Sequence, residues 1–209
     1  MSEDFAPTLR PVEIAILRPT QMTVGFREIK RKRGEWCKRA ERDGPDFLGR
    51  HMIPVILGPK HTPYVIDHHH LVRALHEEGI SHVLVSVVAD LHHLKKQVFW
   101  TFMDNRNWLH PFDADGTRHS HDQLPKRVAD MKDDPYRSLA GELRRSGGYA
   151  KDATPYSEFL WADFLRRRIS AKLVEHDFAR AVSKALKAAG QGDAAYLPGW
   201  CGQSGDTDG

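Results

Sequence analysis

Cysteine is nearly absent. Cys37 and Cys201 are the only two in 209 residues, and they form no C-x-x-C pair. This excludes a disulfide-stapled mini-fold and a cysteine-built zinc finger, and the simplest reading is reduced thiols in a cytoplasmic protein. Long apolar runs are missing as well. None approaches the roughly 18 residues a membrane span needs. The opening MSEDFAPTLRPVEIAIL lacks a basic start followed by a long apolar stretch, so no secretory signal is expected. Charge of one sign is also scarce: 31 Lys and Arg against 28 Asp and Glu leave a net +3, well short of a dedicated nucleic-acid binder. There is no internal repeat, heptad array, P-loop, Rossmann fingerprint, zinc finger or helix-turn-helix signature.

Histidine, by contrast, is plentiful, with 13 in the chain. Three stand together in Tyr64-Val65-Ile66-Asp67-His68-His69-His70-Leu71-Val72-Arg73-Ala74-Leu75. A β-prone run from Thr62 to Ile66 ends in an acid and three imidazoles, and a helical pattern follows at once. A helix N-terminus presents unpaired N–H groups and partial positive charge, so it suits a phosphate. The plain structural alternative is a helix capped by Asp67 with surface histidines. A second acid–histidine cluster, Asp90-Leu91-His92-His93, follows the apolar strand pattern His82 to Ala89. Imidazoles and carboxylates of both clusters could serve a transition metal. Neighbours on a strand point to opposite faces, however, and no H-x-x-x-H is present. The phosphate reading therefore ranks above an intrinsic metal site.

Periodicity supplies the rest. Val12 to Leu17 reads as a strand, with Pro19, Thr20, Gln21 and Gly25 in the turn beyond it. Phe26 to Arg42 reads as a basic helix with Ile29 and either Trp36 or Cys37 inward. Gly44-Pro45-Asp46 is a turn. Ile53 to Leu57 is a strand whose Pro54 implies an edge or a strand start. Gly79 fits a left-handed helix end. Lys95 to Leu109 is a helix with Val98, Phe99, Phe102 and Met103 buried and Trp100 at the flank. Lys126 to Met131 fits a short helix. Asp134 can cap a helix opening at Pro135, with Arg137 and Ser138 in its first turn. Phe159, Trp161, Phe164 and Leu165 suggest another packed helix. Ala171 to Ala189 reads as one helix with Leu173, Val174, Phe178, Val182 and Leu186 on one face. Residues 191–209, rich in Gly, Asp and Ser, read as a disordered tail.

Asp67-His68-His69-His70 followed by Arg73-Ala74-Leu75 resembles the strand–acid–Gly–His–His/Arg–helix signature of the ParB/sulfiredoxin-like superfamily, with His68 in the place of the usual glycine. Pro19-Thr20-Gln21 with Val24-Gly25 is similar to the first block of the ParB-like nucleases within that superfamily. Asp133-Asp134-Pro135-Tyr136-Arg137-Ser138-Leu139-Ala140-Gly141 is similar to another, and so is Pro155 to Arg166. The resemblance covers about residues 12 to 170. It implies an α+β fold: a small mixed-sheet ParB/sulfiredoxin-like domain over residues 1–110, with a helical extension over 111–190 packing on it.

By resemblance to the free-serine kinases, the chain is expected to be a nucleotide-dependent phosphotransferase acting on a small hydroxyl-bearing metabolite. ATP or ADP and Mg2+ would be its cofactors. Asp67 would bind the magnesium or orient a hydroxyl. His69, His70 and Arg73 would neutralise charge on the phosphoryl group, and Glu28 would be the base. Thr20, Gln21, Gly25, His68, Arg137 and Ser138 would hold substrate or phosphate. The alternative is a metal-dependent nuclease in which the same acids hold metal and a histidine activates water. A non-enzymatic, nucleotide-gated DNA-binding protein ranks third. The partners implied are a nucleotide and a small molecule, with nucleic acid less favoured and no membrane.

Overall fold

The computed structural model describes residues 9–43 and 52–202. The expected Gly44-Pro45-Asp46 turn and the connector to Arg50 lie outside the described residues. The chain divides into two units, residues 1–24 with 28–132, and residues 25–27 with 133–209. The division falls at 132/133 rather than at 110. Residues 111–132 belong to the first unit because Leu124, Val128 and Met131 are buried in its cores.

The first unit carries a five-stranded mixed sheet in the order β1-β6-β4-β5-β2. Its strands are β1 (Leu9–Glu13), β2 (Arg18–Pro19), β4 (Ile53–Gly58), β5 (Thr62–Val65) and β6 (His82–Asp90). Thr23–Val24 (β3) is a further short strand outside this sheet. β1 runs antiparallel to β6, β6 parallel to β4, β4 antiparallel to β5, and β5 parallel to β2. β4 is thus the middle strand. Pro54 lies one residue inside its start, so of the two positions proline allows, the strand start applies and the edge does not. Its carbonyl still accepts from the Ile66 N–H at 3.1 Å.

Successive residues of β4 serve opposite faces. Ile53 and Val55 pack with Ile29 and Trp36 of α1 (Phe26–Asp43) and with Leu71, Val72, Ala74 and Leu75 of α2 (His69–Glu77). Ile56 packs with Phe99, Trp100 and Met103 of α3 (Lys96–Asn105). Trp36, not Cys37, is the inward residue of α1. The buried stripe of α3 is turned from the expected one: Val98 and Phe102 are 52 % and 39 % exposed, whereas Trp100 is buried. Trp100 is drawn inward by Tyr64, whose ring meets it edge-on at 5.2 Å.

Two further expectations change. The strand expected over Val12–Leu17 ends at Glu13, and Ile14–Ile16 form a single 3-10 turn that buries Ile14 and exposes Ile16. The helix expected at Lys126–Met131 is only a 3-10 turn, Val128–Asp130. Its neighbouring carbonyls are taken by Arg73, whose Nη1 donates to Val128, Ala129 and Met131 at 3.3, 2.9 and 3.0 Å.

The second unit is helical. Following the short strand β7 (Lys132–Asp133), it contains α4 (Pro135–Arg145), α5 (Ser157–Arg166), α6 (Ala171–His176) and α7 (Phe178–Ala189). Leu139, Leu143, Trp161, Phe164 and Leu165 form its centre, with Tyr149 stacked on Trp161 at 4.4 Å. The single helix expected over Ala171–Ala189 is broken at Asp177. That side chain accepts from the Arg180 N–H and opens α7 as its N-cap. The buried positions of α7 are Ala181, Ala185 and Ala189, while Leu186 is exposed. Among the described residues no helix is long and apolar enough to cross a membrane.

Residues 191–202 do not behave as a disordered tail. Ala194 and Leu197 are buried in the second unit's core. The Trp161 indole donates to the Pro198 carbonyl, the Trp200 indole donates to the Ala189 carbonyl, and the Ala150 N–H donates to the Gly199 carbonyl. Composition suggested disorder because few apolar residues are present, but Leu197 and Trp200 suffice to seat the segment. Truncation after Gly190 should therefore destabilise the protein by about 3 kcal/mol or more, the scale of losing a buried leucine together with paired indoles. Thermal unfolding of the truncated chain checks this, and an unchanged midpoint would show that the segment contributes nothing.

Candidate functional site in the first unit

The junction between β5 and α2 gathers most of the residues singled out in the sequence. His68, not Asp67, is the N-cap of α2, and its backbone is left-handed at φ 64, ψ 23. Glycine is the residue that tolerates this conformation without cost, which gives a physical reason for glycine at this place in the resembled families. His68 is held there by two bonds: its N–H donates to Asp67 Oδ1 at 2.6 Å, and its Nδ1 lies 3.2 Å from the Met52 carbonyl. Its side chain makes no capping bond to α2. Asp67 itself is 75 % exposed at the side chain, with Oδ2 4.0 Å from His68 Nε2.

His69 turns inward. Its Nε2 accepts from the Thr20 N–H at 3.2 Å, so the proton of the neutral ring sits on Nδ1, and the Val65 carbonyl acts on the ring as a backbone acceptor. The Thr20 hydroxyl donates to the same carbonyl at 2.7 Å. Burial is the main reason the His69 pKa falls from 6.5 to about 4, against the opposing pull of Asp67. A neutral, buried imidazole with both nitrogens engaged is a brace between two chain segments, not a group that neutralises phosphate charge. His70 is also buried in the first turn of α2.

Other predicted ligands are braces too. Gln21 is buried and its amide donates to the Thr23 carbonyl at 2.8 Å. The Thr20 carbonyl accepts from the His110 N–H at 2.8 Å. Arg73 binds the 128–131 carbonyls and, through Nε, Glu77 at 2.8 Å. It serves the loop rather than an open anion site. Glu28 is buried in the first turn of α1, 3.5 Å from Arg31 Nη2. The first unit thus brings Thr20, Val65, His69 and Asp67 together, while Glu28 stands on another helix.

Gly25, Arg137 and Ser138 belong to the second unit. Asp134 caps α4 as expected, accepting from Tyr136 N–H at 2.9 Å and Arg137 N–H at 3.2 Å, with its other oxygen on Arg166 at 2.8 Å. Burial pushes its carboxyl up, and Arg166 pulls it back. Ser138 Oγ accepts from the Arg27 N–H at 3.3 Å. The Arg137 guanidinium lies over Phe159 at 5.3 Å and 3.7 Å from Glu158, with Nε and Nη1 buried and unpaired.

Sequence reasoning passed over the loop at 113–123. There His119 Nε2 meets Asp113 Oδ2 at 2.6 Å and His119 Nδ1 meets Gln123 Oε1 at 3.0 Å. The bond to Asp113 raises the His119 pKa most, and that to Gln123 adds to it. The pair meets across a turn bridged at Phe112 and Arg118 rather than along one helix or strand, so the sequence carried no signal for it.

Three comparisons place this geometry among known proteins. The family model described as "putative ParB-like nuclease" matches residues 10–167. The crystal structure of protein Atu1540 from Agrobacterium tumefaciens is similar at 52% identity and a TM-score of 0.88, covering 94% of this chain and 99% of that one. No curated protein matches.

The brace predicts a pH dependence. His69 binds its proton far less readily folded than unfolded, so its contribution is complete above about pH 6.5. It is lost as pH falls toward about 4, by about 3 kcal/mol at most. A His69→Gln variant should flatten the fall in melting temperature across that window, and an unchanged slope would remove His69 as its source. In the second unit, a Cβ at Gly25 would lie 2.5 Å from Ser138 Oγ and 2.8 Å from its backbone nitrogen. Gly25→Ala should cost about 1–3 kcal/mol by overpacking. Adding Ser138→Ala should recover only part of it, because the backbone nitrogen stays, and urea unfolding of both variants checks this.

Proposed function

The chain belongs to the ParB-like nuclease family, and we propose that it works there as a nucleotide-dependent phosphotransferase acting on a small hydroxyl-bearing metabolite. One observation carries the reading. α2 opens from a left-handed residue with no side-chain cap on its first turn, next to an exposed carboxylate. First-turn N–H groups with partial positive charge suit a phosphate. The hard cation Mg2+ takes oxygen ligands, and Asp67 offers an oxygen that the His68 N–H does not use. ATP or ADP with Mg2+ supplies the phosphoryl group and neutralises its charge.

The chain's own residues then do the positioning on which phosphoryl transfer mainly depends. Asp67 orients magnesium or the incoming hydroxyl. His68 and the α2 amides seat the phosphate. His69 holds the seat at fixed distance from β5 through Thr20 and Val65. Glu28, buried in the same unit, is the candidate base that takes the hydroxyl proton. Arg137 and Ser138 lie in the other unit and are not part of this seat.

The family's description as a nuclease supports a second reading, metal-dependent cleavage of nucleic acid. Purified protein with magnesium and ATP or ADP, tested against a panel of hydroxyl-bearing amino acids and followed by phosphorus NMR, separates the two when plasmid DNA is run in parallel. A new phosphoester signal dependent on one acceptor supports transfer, whereas nicked DNA with untouched nucleotide supports the nuclease. In whichever assay responds, Asp67→Ala should lower the rate by about a hundredfold or more while the melting temperature holds, the scale of losing one oriented charge-stabilising group. Full activity in that variant would remove the loop from the mechanism.

A further inference from the structure

We propose that His61, Asp90 and His92 form a surface site for a divalent transition-metal ion of the zinc type. The three donors come from different segments that the sheet brings together. β4 and β6 run parallel and end side by side, with Leu57 in register with Asp90 and the Leu91 N–H donating to the Leu57 carbonyl at 2.7 Å. His61 closes the turn after β4, Asp90 ends β6, and His92 follows two residues later. One ligand atom from each lies within 4.8 Å of the others. The His61 and His92 rings stack at 4.0 Å and 21°, and His92 Nδ1 lies 2.6 Å from Asp90 Oδ1.

Asp90 Oδ1 also accepts from the His92 N–H at 3.2 Å, a local turn that places His92 beside it but does not account for His61. All three side chains are exposed, so they add no core, and an exposed ion pair contributes little. The turn that presents His61 is also unfavourable by itself. Lys60 and His61 are consecutive non-glycine residues at φ 62 and φ 55, each in a conformation that side chains other than glycine adopt at a cost. A ligand joining the three groups would offset that cost.

The donor set selects the ion. Two imidazoles and one carboxylate suit zinc and its neighbours and leave at least one coordination position for water. Magnesium and calcium prefer oxygen donors throughout. Metal–nitrogen bonds of about 2.0–2.1 Å put two donors on a tetrahedral ion roughly 3.3 Å apart. Closing from the present spacing needs side-chain rotation, which exposed groups can make. The site is separate from the 67–70 seat in its residues, and its test reads metal rather than turnover.

The experiment uses the full chain after removal of metal by chelator and dialysis. Cobalt(II) absorbance reports coordination, and zinc competition and calorimetry report affinity and stoichiometry. The expected result is one ion per chain, with magnesium failing to compete. Affinity should fall at least tenfold in His61→Ala, Asp90→Asn and His92→Ala, since even groups behind a ligand cost that much. His76→Ala, an exposed histidine elsewhere on α2, should bind as the parent does. Circular dichroism confirms that each variant is folded. No zinc binding by the parent chain, or unchanged binding in the three variants because other histidines hold the ion, would overturn the proposal.

Discussion

A single neutral imidazole holds the candidate site together. His69 offers a donor on one edge of its ring and an acceptor on the other, and it uses both, on the Val65 carbonyl and the Thr20 N–H. These partners stand 49 residues apart in the case of Thr20. The Thr20 hydroxyl closes the same knot from the opposite side. β2 and β5 pair in parallel at Pro19 and Val65, immediately beside it. The start of α2, the end of β5 and the loop after β2 are therefore fixed by one ring that cannot accept a proton without losing a bond. A lysine or arginine there would have no acceptor for the amide, and a carboxylate would have no donor for the carbonyl.

This brace divides the polar residues of the first unit into two kinds. Thr20, Gln21, His69 and Arg73 spend their hydrogen-bonding capacity on the protein, and they shape the site without offering donors to a ligand. Asp67 keeps capacity directed outward, with its side chain 75 % exposed. His68 pays for the arrangement with a left-handed backbone and is compensated by Asp67 and Met52. The division follows from burial. An inward polar group without a partner costs more than one left in water, so Thr20, Gln21 and His69 find partners inside the protein.

The second unit is built on the same rule with charges in place of a neutral ring. Asp134 caps α4 and pairs with Arg166 while almost fully buried. Asp133 accepts from the Phe26 N–H at 2.7 Å, and Ser138 accepts from the next one. The Asp-Asp-Pro-Tyr-Arg-Ser segment thus fixes the first residues of α1 and the first turn of α4 together. The close approach of Gly25 to Ser138 follows from that packing.

Local chemistry settled much of this in the sequence. The Asp134 cap, the left-handed Gly79 and the α1 and α2 patterns depend on spacing within a few residues, where periodicity and capping rules act, while the mixed α+β class came through the family resemblance. Blocks around Thr20, Asp67 and Asp134 were also legible as motifs. What each member does was not. The same histidine triplet supplies one residue with positive φ, one ring turned inward as a brace and one buried in the helix, and no spacing rule distinguishes them. Which face α3 buries depended on Tyr64, a residue on another element. The break at Asp177 depended on a cap competing with a continuous helix, and the seating of residues 191–202 depended on the Trp161 indole, 37 residues from its Pro198 acceptor. Burial and long-range pairing decide these matters because they depend on which distant groups meet, and only the tertiary structure brings those groups together.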